Sequence, residues 1–480
     1  MTVRTELFIG NAWHPATSGQ TFAVVNPATE EVLAQVHHAG PADVDAAVTA
    51  ARTCFDGAEW QGLAARKRGE MLYRAGGLLA ARREEMAELE TRQNGKPLFE
   101  SRIDVGMTIE TLKYYAGWPD KYGGSIVPVE NGDFVFTDRV PVGVVGAIVP
   151  WNFPLNLASW KFAPALAAGC PVILKPASET PLTALLMGEI MLEAGFPPGA
   201  FNVIPGGGST TGTALVKHPG VDKISFTGST AVGKQIMRDA AETVKRVTLE
   251  LGGKSPNIIF ADADLKAAIR GAQNGIFYGK GEVCAAGSRL LVEKSVHDQV
   301  MDELVTRTKK LMPGDPFDKN TRLGAVVSKK QQETVLSYVE AGKKDGARLV
   351  AGGHAATVNG KGYYVEATVF DDAKPGMRIV DEEIFGPVLA VVTFDDVDDG
   401  VRLANQTIYG LAAGVWTRDI TKALRVARAI RAGTVWVNTY NLSDSAAPFG
   451  GFKQSGYGRD LGREALDGYT ESKTVWVGLK

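Results

Sequence analysis

The chain has 480 residues, 45% of them hydrophobic and 22% charged, with a formal net charge of −2. That balance predicts a globular protein of about three domains, and it lacks the basic excess that nucleic acid or an anionic membrane would attract. The opening MTVRTELFIG turns polar at once and no apolar run reaches the roughly 18 to 20 residues of a membrane span, so the expectation is a cytosolic protein.

The first forty residues read as short strands joined by Gly10-Asn11 and Asn26-Pro27 turns. Val44, Ala47, Val48 and Ala51 fall at i, i+3, i+4 and i+7 and predict a helix. A long charged helix follows from about Arg66 to a stop at Asn94-Gly95, and a third closes around Tyr114 and Tyr115. None of these helices carries an obvious reactive group, so their charges read as solvated faces. Next comes SIVPVE-NG-DFVFTDR, two alternating runs around Asn131-Gly132 that predict a tight hairpin. Pro128 in its first arm marks an unpaired edge, and an exposed arm of this kind is expected to pair with a partner chain.

From Val142 the pattern is that of an α/β sheet: VGVVGAIV, PVILKP, FNVIPG and KISFTG are apolar strands separated by helices of crossover length. Ligands of such sheets sit beyond the carboxyl ends of the strands, where Asn152, Lys175 and the glycines of PGGG and FTGS stand. Gly228 to Gly233, GSTAVG, opens a helix after a strand, the setting for a phosphate on helix-terminal amides. With Lys234 it reads GxxxxGK, but position 235 is Gln, so the magnesium-binding hydroxyl of a P-loop is missing and a phosphotransferase is disfavoured.

The run VTLELGGKSP places Glu250 at the end of a strand that breaks at Gly252 and Gly253. A second α/β unit follows, with PNIIF and RLLVE as strands. Between them FYGKGEVCAAGSR holds Cys284 between glycines that let the backbone turn sharply. The three cysteines, Cys54, Cys170 and Cys284, show neither CxxC nor metal-ligand spacing, which argues against disulfides and against a metal site. A nucleophilic thiol needs a water-activating or proton-taking partner. His297 reads as lying across a strand from Cys284, which leaves Glu250. A helix over 331–342 then leads into a glycine-rich stretch, the acids Glu382 and Glu383 precede IFGPVLAVVTF, and helix TKALRVARAI precedes strand GTVWVN. The tail YTESKTVWVGL alternates as a strand placed to join the 131 hairpin.

PWNFP at 150–154, LKPAS at 174–178, FTGSTAVG at 226–233, LELGGKSP at 249–256, GEVCAAGSR at 281–289, EEIFGPV at 382–388 and PFGGFKQSGYGRDLG at 448–462 together resemble the aldehyde dehydrogenase superfamily, in its order and across essentially the whole chain. The separation of Glu250 from Cys284 is similar to that of the hydrolytic members. The resemblance implies a Rossmann-like dinucleotide domain (1–119 and 142–252), an α/β catalytic domain (253–453) and a small β oligomerisation arm (120–141 and 454–480). It implies Cys284 as nucleophile, Asn152 as oxyanion donor and Glu250 as the base that activates water, with Lys161 and Asp460 behind it as a relay or structural pair. The shorter Asp460 stands where many relatives have Glu. Cofactor contacts would come from Trp151, Lys175, Ser178, Gly208, Phe226, Ser229, Val232, Leu251, Glu383 and Phe385.

Trp160 stands where relatives acting on succinate semialdehyde have Arg, so apolar or aromatic aldehydes are expected in a tunnel lined by Phe153, Trp160 and Phe449. Asn156 and Ser443 add polar spots. Ser178 stands where NAD-committed relatives carry Glu, which predicts use of both NAD and NADP, and the exposed strand edges predict a homodimer or homotetramer. A catalytically silent structural homologue is the competing expectation, and the intact Cys284, Glu250 and Asn152 argue against it.

Overall fold

The computed structural model describes residues 3–479. Two sheets, of eight and seven strands, form the body of the molecule. The first has eight strands in the order Ala12–His14, Leu7–Ile9, Phe201–Val203, Val172–Lys175, Val145–Ile148, Lys223–Thr227, Arg246–Glu250 and Gly456–Tyr457. The five from Phe201–Val203 to Arg246–Glu250 are parallel. Most of their residues are buried on both faces, which is why they read as unbroken apolar runs. From Val145–Ile148 the chain winds one way to 172–175 and 201–203, then returns to 223–227 on the other side. The strand order therefore reverses beside 145–148, and the carboxyl ends there frame a crevice.

The second sheet has seven strands in the order Arg348–Ala351, Thr368–Asp371, Val388–Phe394, Arg289–Glu293, Pro256–Ile259, Ala412–Trp416 and Thr434–Val437. Only the five residues after Glu250 separate the last crossover strand of the first sheet from Pro256–Ile259, so carboxyl ends of one sheet face amino ends of the other. A third sheet joins Thr470–Val477 to Phe134–Pro141 over eight antiparallel pairs, with Ile126–Val127 beyond it. The predicted pairing of the tail with the 131 hairpin is therefore present. Among the described residues no helix is long and apolar enough to cross a membrane.

Helix Pro41–Asp56 starts with Pro at its first position and with the Asp43 carboxylate accepting from Gly40 N–H at 2.8 Å, and it buries the predicted Val44, Ala47, Val48 and Ala51. Helix Pro154–Ala168 is buried on every side, as its all-round apolar sequence requires.

Several expectations need correction. The single long helix is two, Ala65–Ala81 and Arg83–Asn94, broken at Arg82, whose side chain reaches Glu85 and Glu189. At Asn131-Gly132 only the glycine has positive φ, and the arms pair only at Ile126 with Phe136 and Val127 with Val135. The bend there is a wide loop held by the Asn131 side chain, which accepts from Asp133 N–H at 3.1 Å. The two-residue Asn-Gly turn occurs instead at Asn359-Gly360 (φ 54° and 75°), between Ala355–Val358 and Lys361–Val365. The glycine-rich stretch after the 331–342 helix thus contains four strands. Gly456–Tyr457, expected within the arm, adds an edge strand to the first sheet.

Candidate active site

Glu250 is the last residue of its strand, and the two glycines after it allow a close approach. A Cβ at Gly253 would strike the Cys284 carbonyl, and one at Gly252 would strike the Glu383 carboxylate. Gly253 N–H donates to Glu383 Oε1 at 3.0 Å. The double glycine therefore brings three segments distant in sequence to one point.

The turn that delivers Cys284 is sharper than its glycines alone suggested. Gly279, Lys280 and Gly281 all have left-handed backbones (φ 58°, 62° and 70°), so a non-glycine residue sits where L side chains cost about 1 to 3 kcal/mol. Lys280 is held there by its buried ammonium, which donates to Asn94 O at 3.0 Å and Asn94 Oδ1 at 2.7 Å and pairs with Glu282 Oε2 at 2.9 Å.

Burial pushes the Cys284 thiol up to about 12, and the nearby Glu383 and Glu250 push the same way, while its own and Ala285's N–H groups pull it down. Glu250 is likewise raised well above the usual carboxylate range by burial and by Asp460, against Lys161 and Arg459. Its Oε2 has no hydrogen-bond partner. Lys161 Nζ lies 2.9 Å from Asp460 Oδ2, both buried, so the expected pair exists despite the shorter acid. A two-way backbone bridge to Phe449 at 2.7 and 2.8 Å fixes Asp460. Asn152 Nδ2 donates to Glu282 O at 2.9 Å with one of its two hydrogens. His297 is occupied elsewhere, 2.9 Å from Asp371.

Cys284 opens into a cavity of about 680 Å³ whose wall includes Phe153, Trp160 and Phe449. The Trp160 and Phe449 rings meet edge-on at 5.4 Å, and Asn156 Oδ1 accepts from Trp160 Nε1 at 3.1 Å, so Asn156 orients the indole. Ser443 lies on the same wall. Sequence reasoning missed Trp436 and Tyr440, in the strand and loop before Ser443, and Phe99, Ile103 and Met107, whose i, i+4, i+8 spacing marks one face of helix Leu98–Ala116. Among the described residues no group of three or more His, Cys, Asp or Glu is placed to hold a metal.

The remaining predicted residues stand around the carboxyl ends of the first sheet and the entry to Val388–Phe394. Trp151 meets Phe385 edge-on at 5.2 Å, and Phe385 has a left-handed backbone (φ 58°) whose carbonyl accepts from Gln331 at 2.7 Å. Lys175 is buried with its ammonium donating to Pro176 O at 2.8 Å, and burial lowers it to about 8 against the pull of Glu179. Ser178 Oγ donates to Gly206 O at 3.1 Å, two residues before Gly208. Ser229 caps helix Thr230–Ala241 by accepting from Val232 N–H at 3.4 Å, and Val232 is 49% exposed on the first turn. A Cβ at Gly228 would strike the Phe226 ring, and one at Gly233 would meet Leu251, so these two apolar residues form the floor. Lys234 donates to Gln454 Oε1 at 2.9 Å.

A cysteine and a buried carboxylate brought to one glycine pair, beside a strand-order switch point, suit a dinucleotide-dependent oxidoreductase. The sequence profile of the aldehyde dehydrogenase family matches residues 13–475, and the chain belongs to that family. It is an enzyme that oxidises an aldehyde to the carboxylic acid with a nicotinamide dinucleotide. Rat mitochondrial aldehyde dehydrogenase is 47% identical over 475 residues, covering 98% of this chain and 91% of that one. The NAD+ complex of a Bacillus cereus aldehyde dehydrogenase superposes with a TM-score of 0.98 at 50% identity, covering 99% of this chain and 97% of that one. Indole-3-acetaldehyde dehydrogenase AldA of P. syringae, solved with NAD+ and IAA, gives 0.98 at 47% identity, covering 100% of this chain and 97% of that one.

Proposed function

We propose that Cys284 attacks the aldehyde and that Glu250 later activates the water that releases the acid. The observation that carries this is the convergence of the Glu250 strand end, the Cys284 carbonyl and the Glu383 carboxylate on Gly252-Gly253. The Cys284 thiol gives its proton to solvent and the thiolate adds to the carbonyl carbon, giving a thiohemiacetal whose oxyanion takes the second Asn152 Nδ2–H and the Cys284 backbone N–H. When bound, the dinucleotide supplies the hydride acceptor. Collapse of the oxyanion leaves a thioester on Cys284. Glu250, made more basic by burial, then takes a proton from water; the hydroxide adds to the thioester and the Cys284 thiolate leaves. Lys161 favours the negative charge on Glu250 while Asp460 opposes it, and the pair gives its proton a buried route away.

The residues present suit a dinucleotide. Gly228 lets the Phe226 ring pack against its backbone, and helix Thr230–Ala241 begins directly after the strand end, where its first amides could take a phosphate. Lys175 and Ser178 would hold the adenosine ribose, Gly208, Ser229, Val232 and Leu251 the pyrophosphate side, and Glu383, Phe385 and Trp151 the nicotinamide riboside. NAD use is supported by the NAD+ complexes of two relatives. We extend this to NADP because Ser178 carries no charge to repel a 2′-phosphate. The first sheet with its helices is taken as the dinucleotide domain, and the second as the catalytic domain.

Apolar or aromatic aldehydes suit the tunnel, since Phe153, Trp160, Phe449, Trp436 and Tyr440 offer ring faces, with Arg270, Arg307 and Arg322 also on its wall. The P. syringae relative, named for an indole aldehyde, points the same way. The three-stranded arm exposes Ile126 (73%) and Trp476 (58%), which supports a homodimer or homotetramer. The deciding experiment is formation of reduced dinucleotide with a panel of aliphatic, aromatic and carboxylated aldehydes. Fastest turnover on carboxylated members would overturn the substrate reading, and no turnover with any would overturn the catalytic one.

A further inference from the structure

Behind Asn152 lies a buried charge cluster that the reaction above does not use. Lys96 sits in the turn between helices Arg83–Asn94 and Leu98–Ala116. Its ammonium is 2.5 Å from Asp104 Oδ2, donates to the Asn152 carbonyl at 2.7 Å, and lies over the Phe153 ring 4.2 Å from its centroid. Lys96 and Asp104 are each 1% exposed. One residue earlier, the Trp151 carbonyl accepts from Asn94 Nδ2 at 2.7 Å. Two successive carbonyls of the donor loop are therefore gripped by side chains from one turn of the chain, 94 to 96.

The same turn and helix also hold the nucleophile loop. Asn94 accepts from Lys280, and Glu100 Oε1 accepts from Gly279 N–H at 3.2 Å. The Asn152 amide itself reaches across to Glu282 O, two residues before Cys284. A buried ion pair is a poor way to gain stability, because an apolar pair of like volume is often as good. Its use here is geometric, since an oxyanion donor works only if aimed, and a displacement of about 1 Å can cost roughly a hundredfold in rate.

We propose that Lys96, anchored by Asp104, is a positioning residue that aims the Asn152 amide at the oxyanion. The inference rests on the reading of Asn152 as oxyanion donor. Phe153, on the tunnel wall, is held by the same ammonium, so the clamp sets the donor and one substrate contact together.

A double-mutant cycle tests it. Lys96→Met is expected to lower kcat at least about tenfold in the otherwise unchanged enzyme, with KM for NAD unchanged. In an Asn152→Ala background it is expected to lower kcat by less than about threefold, because the donor it aims is gone. Alkylation of Cys284 by iodoacetamide, which needs no oxyanion donor, should stay within about threefold of the parent. Equal losses in both backgrounds, no loss in the first, or a collapse of alkylation would each overturn the proposal. Full activity in Asn152→Ala alone would instead remove the oxyanion reading, and this inference with it. Should Lys96→Met fail to fold, Asp104→Asn, which keeps the shape and removes the anchoring charge, carries the same cycle with the same expected outcomes.

Discussion

On the chemical side of the crevice, Glu250, Lys161 and Asp460 are each less than a tenth exposed, and the Cys284 thiol and Glu250 carboxyl are displaced upward by burial. On the dinucleotide side, Val232 is half exposed, Ser229 Oγ accepts from Val232 N–H and Ser178 Oγ donates to Gly206 O. The first is a set of groups held by one another, where removing a member leaves its partners wrongly charged or aimed. The second is a set of nearly independent contacts at strand ends, where removing one leaves the rest in place. Substitutions on the first side should therefore act mainly on kcat and by large factors, and those on the second on KM and by small ones.

The most severe test is Cys284→Ser. A hydroxyl in that setting is a far weaker nucleophile than the thiol, and loss of kcat on the order of 10⁴-fold or more is expected, with dinucleotide binding unchanged by fluorescence titration. Residual turnover within about tenfold of the parent would show that the thiol is not the nucleophile.

Glu250→Gln separates the two half-reactions. Thiohemiacetal formation and oxidation do not need the base, so one equivalent of reduced dinucleotide per subunit should appear in a burst. Steady turnover should then fall by roughly 10²- to 10⁴-fold at the thioester. The parent enzyme should speed up as pH rises through the elevated Glu250 value, because only the deprotonated carboxylate can take a proton from water. Steady turnover near the parent's in the variant would sink the assigned role. Asn152→Ala should cost about 10²- to 10³-fold in kcat, with KM for the aldehyde little changed.

Ser178→Glu probes the other side. A carboxylate beside the adenosine ribose repels a 2′-phosphate but can accept from ribose hydroxyls, so the ratio of kcat/KM for NADP to that for NAD should fall by about tenfold or more. The parent should use both. A parent preference for NAD beyond about a hundredfold, roughly 2.7 kcal/mol, would show that Ser178 is not the discriminator.

The same division decides what could be read from the sequence. Cys284 and Glu250 stood out because glycine-rich motifs adjoin them, and Gly252 and Gly253 do permit the close approach. The apolar parallel strands were legible from their continuous runs. Glu100 and Asp104 were not: at i and i+4 on a charged helix they look solvated, but Glu100 accepts from Gly279, far along the chain, and Asp104 pairs with Lys96, whose ammonium also reaches the Asn152 carbonyl. Lys96 and Lys280 escaped notice for the same reason. The break at Arg82 depends on Glu189, again a distant partner. Asn131-Gly132 misled because turn chemistry fixes a tight hairpin only when both arms pair up to it, and Pro128 prevents that on one arm.

The mildest expected effect lies in the pH dependence of dinucleotide choice. Burial depresses Lys175 from the ordinary lysine value to about 8, and Glu179 only partly opposes it. The amine is therefore a cation at pH 7 and mostly neutral at pH 9. A neutral amine still offers hydrogen bonds to ribose hydroxyls, but it loses the charge that a 2′-phosphate needs. KM for NADP should rise about threefold to tenfold relative to KM for NAD between those pH values, the bound phosphate itself holding part of the proton. For the free enzyme the sign is opposite in character. The folded state resists protonating Lys175 and binds fewer protons than the unfolded chain between about 8 and the ordinary lysine value, so Lys175 makes the protein more stable as pH rises through that window. Replacing Lys175 with Gln should flatten the NADP-to-NAD ratio across pH. An unchanged slope in that variant would place the titrating group elsewhere and leave Ser178 as the sole discriminator.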